Sequence, residues 1–440
     1  MYILKNYDYN NILHFKLEQL DDNIKLLHKL QLTSHNMLLI QFYGSSPDNS
    51  LGISSPQLLD QMYRQAGALP IFLSFKPNIL KIMKTNMNKI YQDIRFKYLF
   101  VQLLRFGIAK LCQRKTDRGK LLLLPPASEI LSTLEATEAE VIHLRREPYS
   151  YLNFTRLPPG EILRQIERDQ LHNLLRSDQK PEISNTILHQ TERVLKIVFE
   201  RIADNRDHGL YTTIVEEIIR EFYYEIISRS SWEKFKETLE SSFKTERSTT
   251  GGNLLCWLVE KICSIEPSPR IILVGHGIGA NCLCYLLQNL NKMYINKQII
   301  FDLILLAPAC SFQLFVRSVL PQETRIGKLL LFGLPDSFER VDAFSGAIYT
   351  RSLLYFISGL LEGEIDQPLL GMQRFYREIL FHDAKLFPEI NQMRQFIDKH
   401  QGHLIWSRTV EKAEFSSQAK YHEDFLQDRQ TIDSICRFIG

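Results

Sequence analysis

Short apolar runs punctuated by turn formers recur along this chain. Met37–Phe42 (MLLIQF), Ile71–Phe75 (IFLSF), Ile271–Val274 (IILV), Leu303–Leu306 (LILL) and Lys328–Phe332 (KLLLF) are four to six residues long. Runs of this length and character predict strands buried on both faces. Leu404–Trp406 (LIW) is a weaker sixth. Between the later runs the period becomes helical. Leu283, Leu286, Leu287 and Leu290 recur at i, i+3, i+4 and i+7, which makes one apolar stripe. Ile432, Ile435, Cys436 and Ile439 repeat that spacing after Asp428, a predicted N-cap. Strands alternating with helices predict an α/β fold with a mostly parallel sheet flanked by helices.

From about Asn78 to Thr249 the pattern is one of long helices, such as Glu161–Arg176 and Ile214–Arg229, with Leu121–Pro126 as a short strand stopped by prolines. The simplest layout has three parts. Residues 1–77 supply the N-terminal part of the α/β core, 78–250 a large helical insertion or cap, and 251–440 the C-terminal half. A separate helical domain is the alternative. An insertion is tolerable because closure cost grows only logarithmically with loop length.

At 440 residues, with 45% hydrophobic and 23% charged side chains, the composition is that of an ordinary soluble globular protein. A net charge of +3 is too mild to imply nucleic acid. Seven cysteines without a repeated spacing fit free thiols in a reducing compartment, and the absence of paired CxxC motifs argues against structural zinc. The first residues carry no apolar signal-peptide core. The most apolar long segment, Phe344–Leu361, has Arg351 at its middle and is expected to be a core or cap helix. The expectation is a cytoplasmic protein.

The chemistry concentrates in Arg270–Cys284, RIILVGHGIGANCLC. Gly275-x-Gly277-x-x-Ala280 matches a dinucleotide-binding turn, in which glycines admit a pyrophosphate to a helix N-terminus. The next strand ends LLAPA, with no acid to hold a ribose, and about 270 residues precede a unit that normally opens such a domain. The same turn has the spacing of a GxSxG nucleophile elbow, with Gly275 and Gly279 in the two glycine positions. VGHGIGAN resembles the VGHSxGA elbow of the α/β-hydrolase superfamily, with Gly277 where serine stands. FDLILLAPA resembles the strand that follows. The resemblance covers the last 190 or so residues well and the first 100 only suggestively.

That resemblance implies a triad in the order nucleophile, acid, histidine. Asp336, in GLPDSFERVD, stands 59 residues after Gly277, and His422, in YHEDFLQDRQT, 86 residues further on. Asp342 is the substitute acid and His403 the substitute histidine; His276 occupies the elbow's variable position as a packing residue. The oxyanion hole implied by the family would use the N–H of Ile278 and one from Gly44 or Ser45. Glycine has no atom to attack a carbonyl, so the acyl-enzyme route is closed with Gly277 in place. The functional expectation is a pseudo-hydrolase acting by binding, on an acyl or ester ligand or a protein partner. The alternatives are an esterase- or lipase-like acyl hydrolase with its nucleophile replaced and, more distantly, an NAD(P)-binding oxidoreductase. Cys282 and Cys284 are expected to be packing residues, and no cofactor or metal is implied.

Residues 76–120 hold twelve Lys/Arg against Asp93 and Asp117, interleaved with aromatics. An amphipathic lid meeting an anionic membrane surface and an RNA-contacting patch are the functional readings. A core-packed helix pair with a solvated basic face is the structural one.

Overall fold

The structure is a computed structural model that describes residues 2–5, 37–44, 56–75, 78–113, 185–227, 229–244, 252, 255–256, 258–260, 270–292, 299–345, 349–409 and 413–440. The expected features at Glu161–Arg176 and Leu121–Pro126 lie outside these residues. Contacts divide the chain into a sheet unit, Met1–Leu80 with Ser231–Glu339 and Pro368–Gly440, and a helical unit, Lys81–Ser230 with Arg340–Gln367. The last segment falls in the stretch that the sequence pattern assigns to the C-terminal half.

All strand pairs in the sheet are parallel, and seven strands are described: β1 Tyr2–Lys5, β2 Met37–Gly44, β3 Ala68–Phe75, β4 Arg270–His276, β5 Phe301–Leu306, β6 Ile326–Gly333 and β7 His403–Trp406. Their order is β1-β3-β2-β4-β5-β6-β7. All six strands expected of the sheet are present, and β1 is an addition. From β2 the chain first steps outward to β3, then crosses to the other side of β2 and proceeds through β4 to β7. The order therefore reverses between β2 and β4. In open α/β sheets ligands bind outside the carboxyl ends of the strands at such a reversal.

Both faces of the central strands are buried, which explains their continuous apolar runs. One face joins Leu39, Phe72, Ile272, Val274, Ile304, Leu330, Phe332 and Ile405 to helix α1 (Pro56–Gln65) and to the final helix. The other carries Leu38, Ile40, Leu273, Leu305 and Leu331, all fully buried. Buried Asp302 fastens the opposite end of the sheet: it pairs with Arg270 of β4 and accepts from the Lys328 N–H of β6 at 2.6 Å.

The helical unit contains most of α2 (Asn78–Gln92), then α3 (Ile94–Gln113), α4 (Asn185–Ala203) and α5 (Leu210–Phe222). Helix α5 touches α3, α4 and the turn Ile357–Leu361. Gly107 lets α3 approach the Leu210 side chain. The expected helix over Phe344–Leu361 forms only from Leu353, where Ser352 caps it, and ends in a π-turn. Upstream of it Ser345 and Tyr349 make an isolated antiparallel bridge. Arg351, the charge at the segment's middle, points its guanidinium at the His208 and Arg340 carbonyls.

The described part of the basic stretch is a core-packed pair. Met83, Met87, Ile90, Phe96, Leu99 and Phe100 are buried. Lys81, Lys89 and Arg95 are exposed, while Lys97 and Lys84 lie over the rings of Tyr91 and Phe344. No described helix is long and apolar enough to cross a membrane.

Ile304 lies fully buried in β5, so Ile304→Ala is expected to cost about 2–5 kcal/mol. Urea unfolding followed by tryptophan fluorescence, to which Trp232 and Trp406 of the sheet unit contribute, measures it.

Candidate functional site

The strand-to-helix turn after β4 is built by three glycines at close quarters. Gly277 sits at φ +55°, the left-handed region that glycine adopts without penalty. Its N–H donates to the Leu306 carbonyl at 2.9 Å, and its own carbonyl accepts from Ala280 and Ala309. Helix α6 (Arg229–Ser241) precedes this turn in the chain, and α7 (Gly279–Lys292) begins two residues after Gly277. A Cβ on Gly279 would lie 2.3 Å from the Phe42 carbonyl oxygen, and one on Gly275 would lie 2.8 Å from the Ala280 Cα. No side chain fits at either position, so the expected small residues have a direct steric cause.

His422 is brought to this turn. A Cβ built on Gly277 would lie 2.9 Å from its Nε2 and 3.7 Å from its Cε1. The imidazole edge therefore borders the space that a side chain at 277 would enter.

Several polar anchors hold the loop that carries His422. The Asp424 carboxylate accepts from the Lys420 and Tyr421 N–H groups at 2.8 and 3.0 Å. Asp428 caps the final helix (Arg429–Ile439) through the Thr431 N–H, as expected, and also accepts from the Gln418 N–H. Beneath them Thr431 donates to Ser417, Ser417 to Ser407, and Ser407 to the Ala419 carbonyl. Buried hydroxyls satisfied in this way fix a loop that apolar contact alone would leave free to slide.

His276 does more than pack. Its Nε2 donates to the His422 carbonyl at 3.0 Å, and the two rings lie 5.4 Å apart. Strand alternation also puts Gln41, fully buried opposite Val274, on the same face as His276. The signal for Gln41 was its position as the lone polar residue in MLLIQF. The role of His276 had no signal, because its partner is a backbone atom 146 residues away.

Burial and the nearby His276 push the His422 imidazole down to about 3. Burial lowers His276 as well, against the pull of the carbonyl it bonds. Both rings are thus neutral at pH 7. Among the described residues nothing bonds His422 Nδ1, although it is buried.

The triad expected from sequence is therefore not assembled here. Asp336 begins a short helix after β6, and its N–H donates to Gln373 Oε1 at 3.2 Å, but its carboxylate does not bond His422 Nδ1. Asp342 belongs to the helical unit. His403 is exposed in β7, with its ring against Phe415. Cys282 and Cys284 are fully buried in α7, and burial raises the Cys282 thiol far above its ordinary range, so packing is their role. Ile278 is buried in the turn, and no described backbone carbonyl accepts its N–H. Gly44 ends β2 one residue beyond the Tyr43–His276 pair, at the same edge, and Ser45 lies outside the described residues. Among the described residues no group of three or more His, Cys, Asp or Glu side chains is arranged to hold a metal ion.

No protein-family model, curated protein or solved structure matches the chain.

A histidine whose folded-state pKa is depressed binds its proton better when unfolded. Its contribution to stability is complete above the ordinary imidazole value of about 6.5 and is lost as the pH falls below it. The sheet unit is expected to lose at most about 1.4 kcal/mol per pH unit for each such ring. His422→Phe should flatten this slope between pH 6.5 and 5 in urea titrations.

Proposed function

We propose that this chain is an α/β-hydrolase-like pseudo-hydrolase that acts by binding and not by acyl transfer. The observation that carries the reading is Gly277 at φ +55° on the strand-to-helix turn, with His422 Nε2 2.9 Å from where a Cβ on it would stand. That is the placement of a nucleophile and its base in an elbow, without an atom to attack a carbonyl. The location supports it too, because the turn lies at the carboxyl end of β4, where the strand order reverses. In this reading the ligand is an acyl- or ester-bearing small molecule or a protein partner.

The environment of His422 favours binding over residual hydrolysis. A general base is most effective with a pKa near the working pH and with its far nitrogen oriented by a third group. His422 is pushed far below that range, and no described group orients its Nδ1. The alternative of an acyl hydrolase whose serine has been replaced predicts that one substitution revives the site. The dinucleotide reading finds less support, because the Gly277 N–H that would meet a phosphate is spent on the Leu306 carbonyl.

Fluorophosphonate labelling and p-nitrophenyl ester turnover of the native chain and of Gly277→Ser separate these readings. Serine at φ +55° carries strain of order 1–3 kcal/mol and displaces the His422 ring. The native chain is expected to be silent. Gly277→Ser should react on the order of 10³–10⁴-fold more slowly than an intact triad, as when the orienting acid is lost. Labelling of the native chain, or full triad rates in Gly277→Ser abolished by His422→Ala, would overturn the binding reading.

A further inference from the structure

The space in front of Gly277 is bordered by two polar groups that the fold leaves without partners. The first is the backbone N–H of Ile278. It is buried at the N-terminus of α7, a helix of 14 residues, and no described carbonyl or side chain accepts it. The second is the imidazole of His422, 8% exposed, with neither ring nitrogen bonded among the described residues. Its Nε2 lies 2.9 Å from the point where a Cβ on Gly277 would stand. Covalent geometry keeps the Ile278 nitrogen, three bonds from that point, within about 4 Å of it. Apart from the chain neighbours of Gly277, no described heavy atom other than those of His422 comes within 4 Å of the same point. An unmet backbone donor and an unmet side chain thus face one small open space.

Buried N–H groups are almost always paired, because otherwise a bond to water is given up with no return. The same rule places the ring proton of His422. On Nδ1 it would be another buried donor without an acceptor, whereas on Nε2 it faces the open space, and an unmet lone pair is the smaller loss. The ring has only that proton at pH 7, since burial and His276 hold the imidazole down to about 3. Two donors therefore border one space, and the positive end of the α7 dipole adds to them. Acids of the His422 loop are engaged elsewhere. Asp424 accepts from the Lys420 and Tyr421 N–H groups, and Asp428 from those of Thr431 and Gln418. An alcohol or an amide would bring a donor of its own to a pair of donors, and an ester has no charge for the helix terminus to attract. A carboxylate only accepts, and it is an anion.

We propose that this turn binds the carboxylate of a small organic acid, one oxygen accepting from the Ile278 N–H and from His422 Nε2. The inference rests on the reading of the chain as a binding protein, and it narrows the acyl-bearing ligand to the free acid. His422 then serves as a hydrogen-bond donor and not as a base: no bond of the ligand is made or broken, and the ring keeps its proton. Gly277 provides the room. A Cβ there would stand between the two donors and crowd the oxygen out.

Calorimetric titration of the full chain at pH 7 with butyrate, butyramide and methyl butyrate tests this. Butyrate is expected to bind at least about tenfold more tightly than either neutral analogue, and His422→Phe should weaken it about 10–100-fold, the range for one hydrogen bond to a charged group. A second readout leaves His422 in place. With ¹⁵N-isoleucine labelling, the Ile278 amide, identified by its loss in Ile278→Val, should shift as butyrate is added and hold still with butyramide. Equal binding of the three probes, butyrate affinity unchanged by His422→Phe, or an unmoved Ile278 amide would overturn the carboxylate assignment. Fluorophosphonate labelling of the same samples keeps the two readings apart. A labelled native chain sinks the binding reading and this inference with it, whereas an unlabelled chain that ignores butyrate sinks the inference alone.

Discussion

Three backbones meet at the β4–α7 turn more closely than any side chain permits. The Phe42 carbonyl of β2, the start of α7 and the end of β4 touch through Gly275 and Gly279, and much else in the sheet unit depends on that contact. It seats α7 on β2 and β4 together and sends the Gly277 N–H to β5. It also leaves only the left-handed conformation to the residue between. With the turn held so tightly, the site depends on what the C-terminal loop delivers to it. That loop delivers His422 through backbone and hydroxyl bonds made by Asp424, Asp428, Ser417 and His276.

Two buried histidines illustrate opposite answers to desolvation. His422 meets burial by staying neutral, with another neutral ring beside it and its carbonyl as the anchored atom. His208 meets it by surrounding itself with carboxylates and sharing them with Arg201. Burial penalises charge at both positions, and the two rings differ in the partners set around them.

Much of the sheet was legible because its signals are local. Apolar runs as short as IILV and LILL, bounded by turn formers, read as strands buried on both faces, and the GxGxGA turn announces a close strand–helix approach. Asp428 ahead of a stripe of isoleucines names its helix start. Other features depend on distant partners. Tyr2–Lys5 is too short and too mixed to read as a strand before β3 is in place beside it. The apolar stretch Phe344–Leu361 reads as a continuous helix, but Arg351 turns to two carbonyls and the helix waits for Ser352. Within the site, the pairing of Gly277 with His422 followed from chain order. The idle Nδ1 of His422 did not, because acids such as Asp336 look equally suitable until their carboxylates are placed. The His208 cluster gave no motif at all, since Glu216 and Asp366 are 150 residues apart.

The final helix has a consequence for how the protein is made. Ile432, Ile435, Phe438 and Ile439 complete the core layer that includes Leu39, Tyr63 and Phe72, and the helix rests on α1 near the start of the chain. The sheet unit is thus closed by Arg429–Ile439 against α1 and β3, which lie far earlier in the chain. On a ribosome the strands emerge long before the helix that completes their cover, so part of the apolar face of β2 to β6 stays open until Arg429–Ile439 has followed. Pairings of such long range also fold slowly. Until that helix arrives the strands hold exposed apolar surface, and loss of Arg429–Ile439 would leave it exposed.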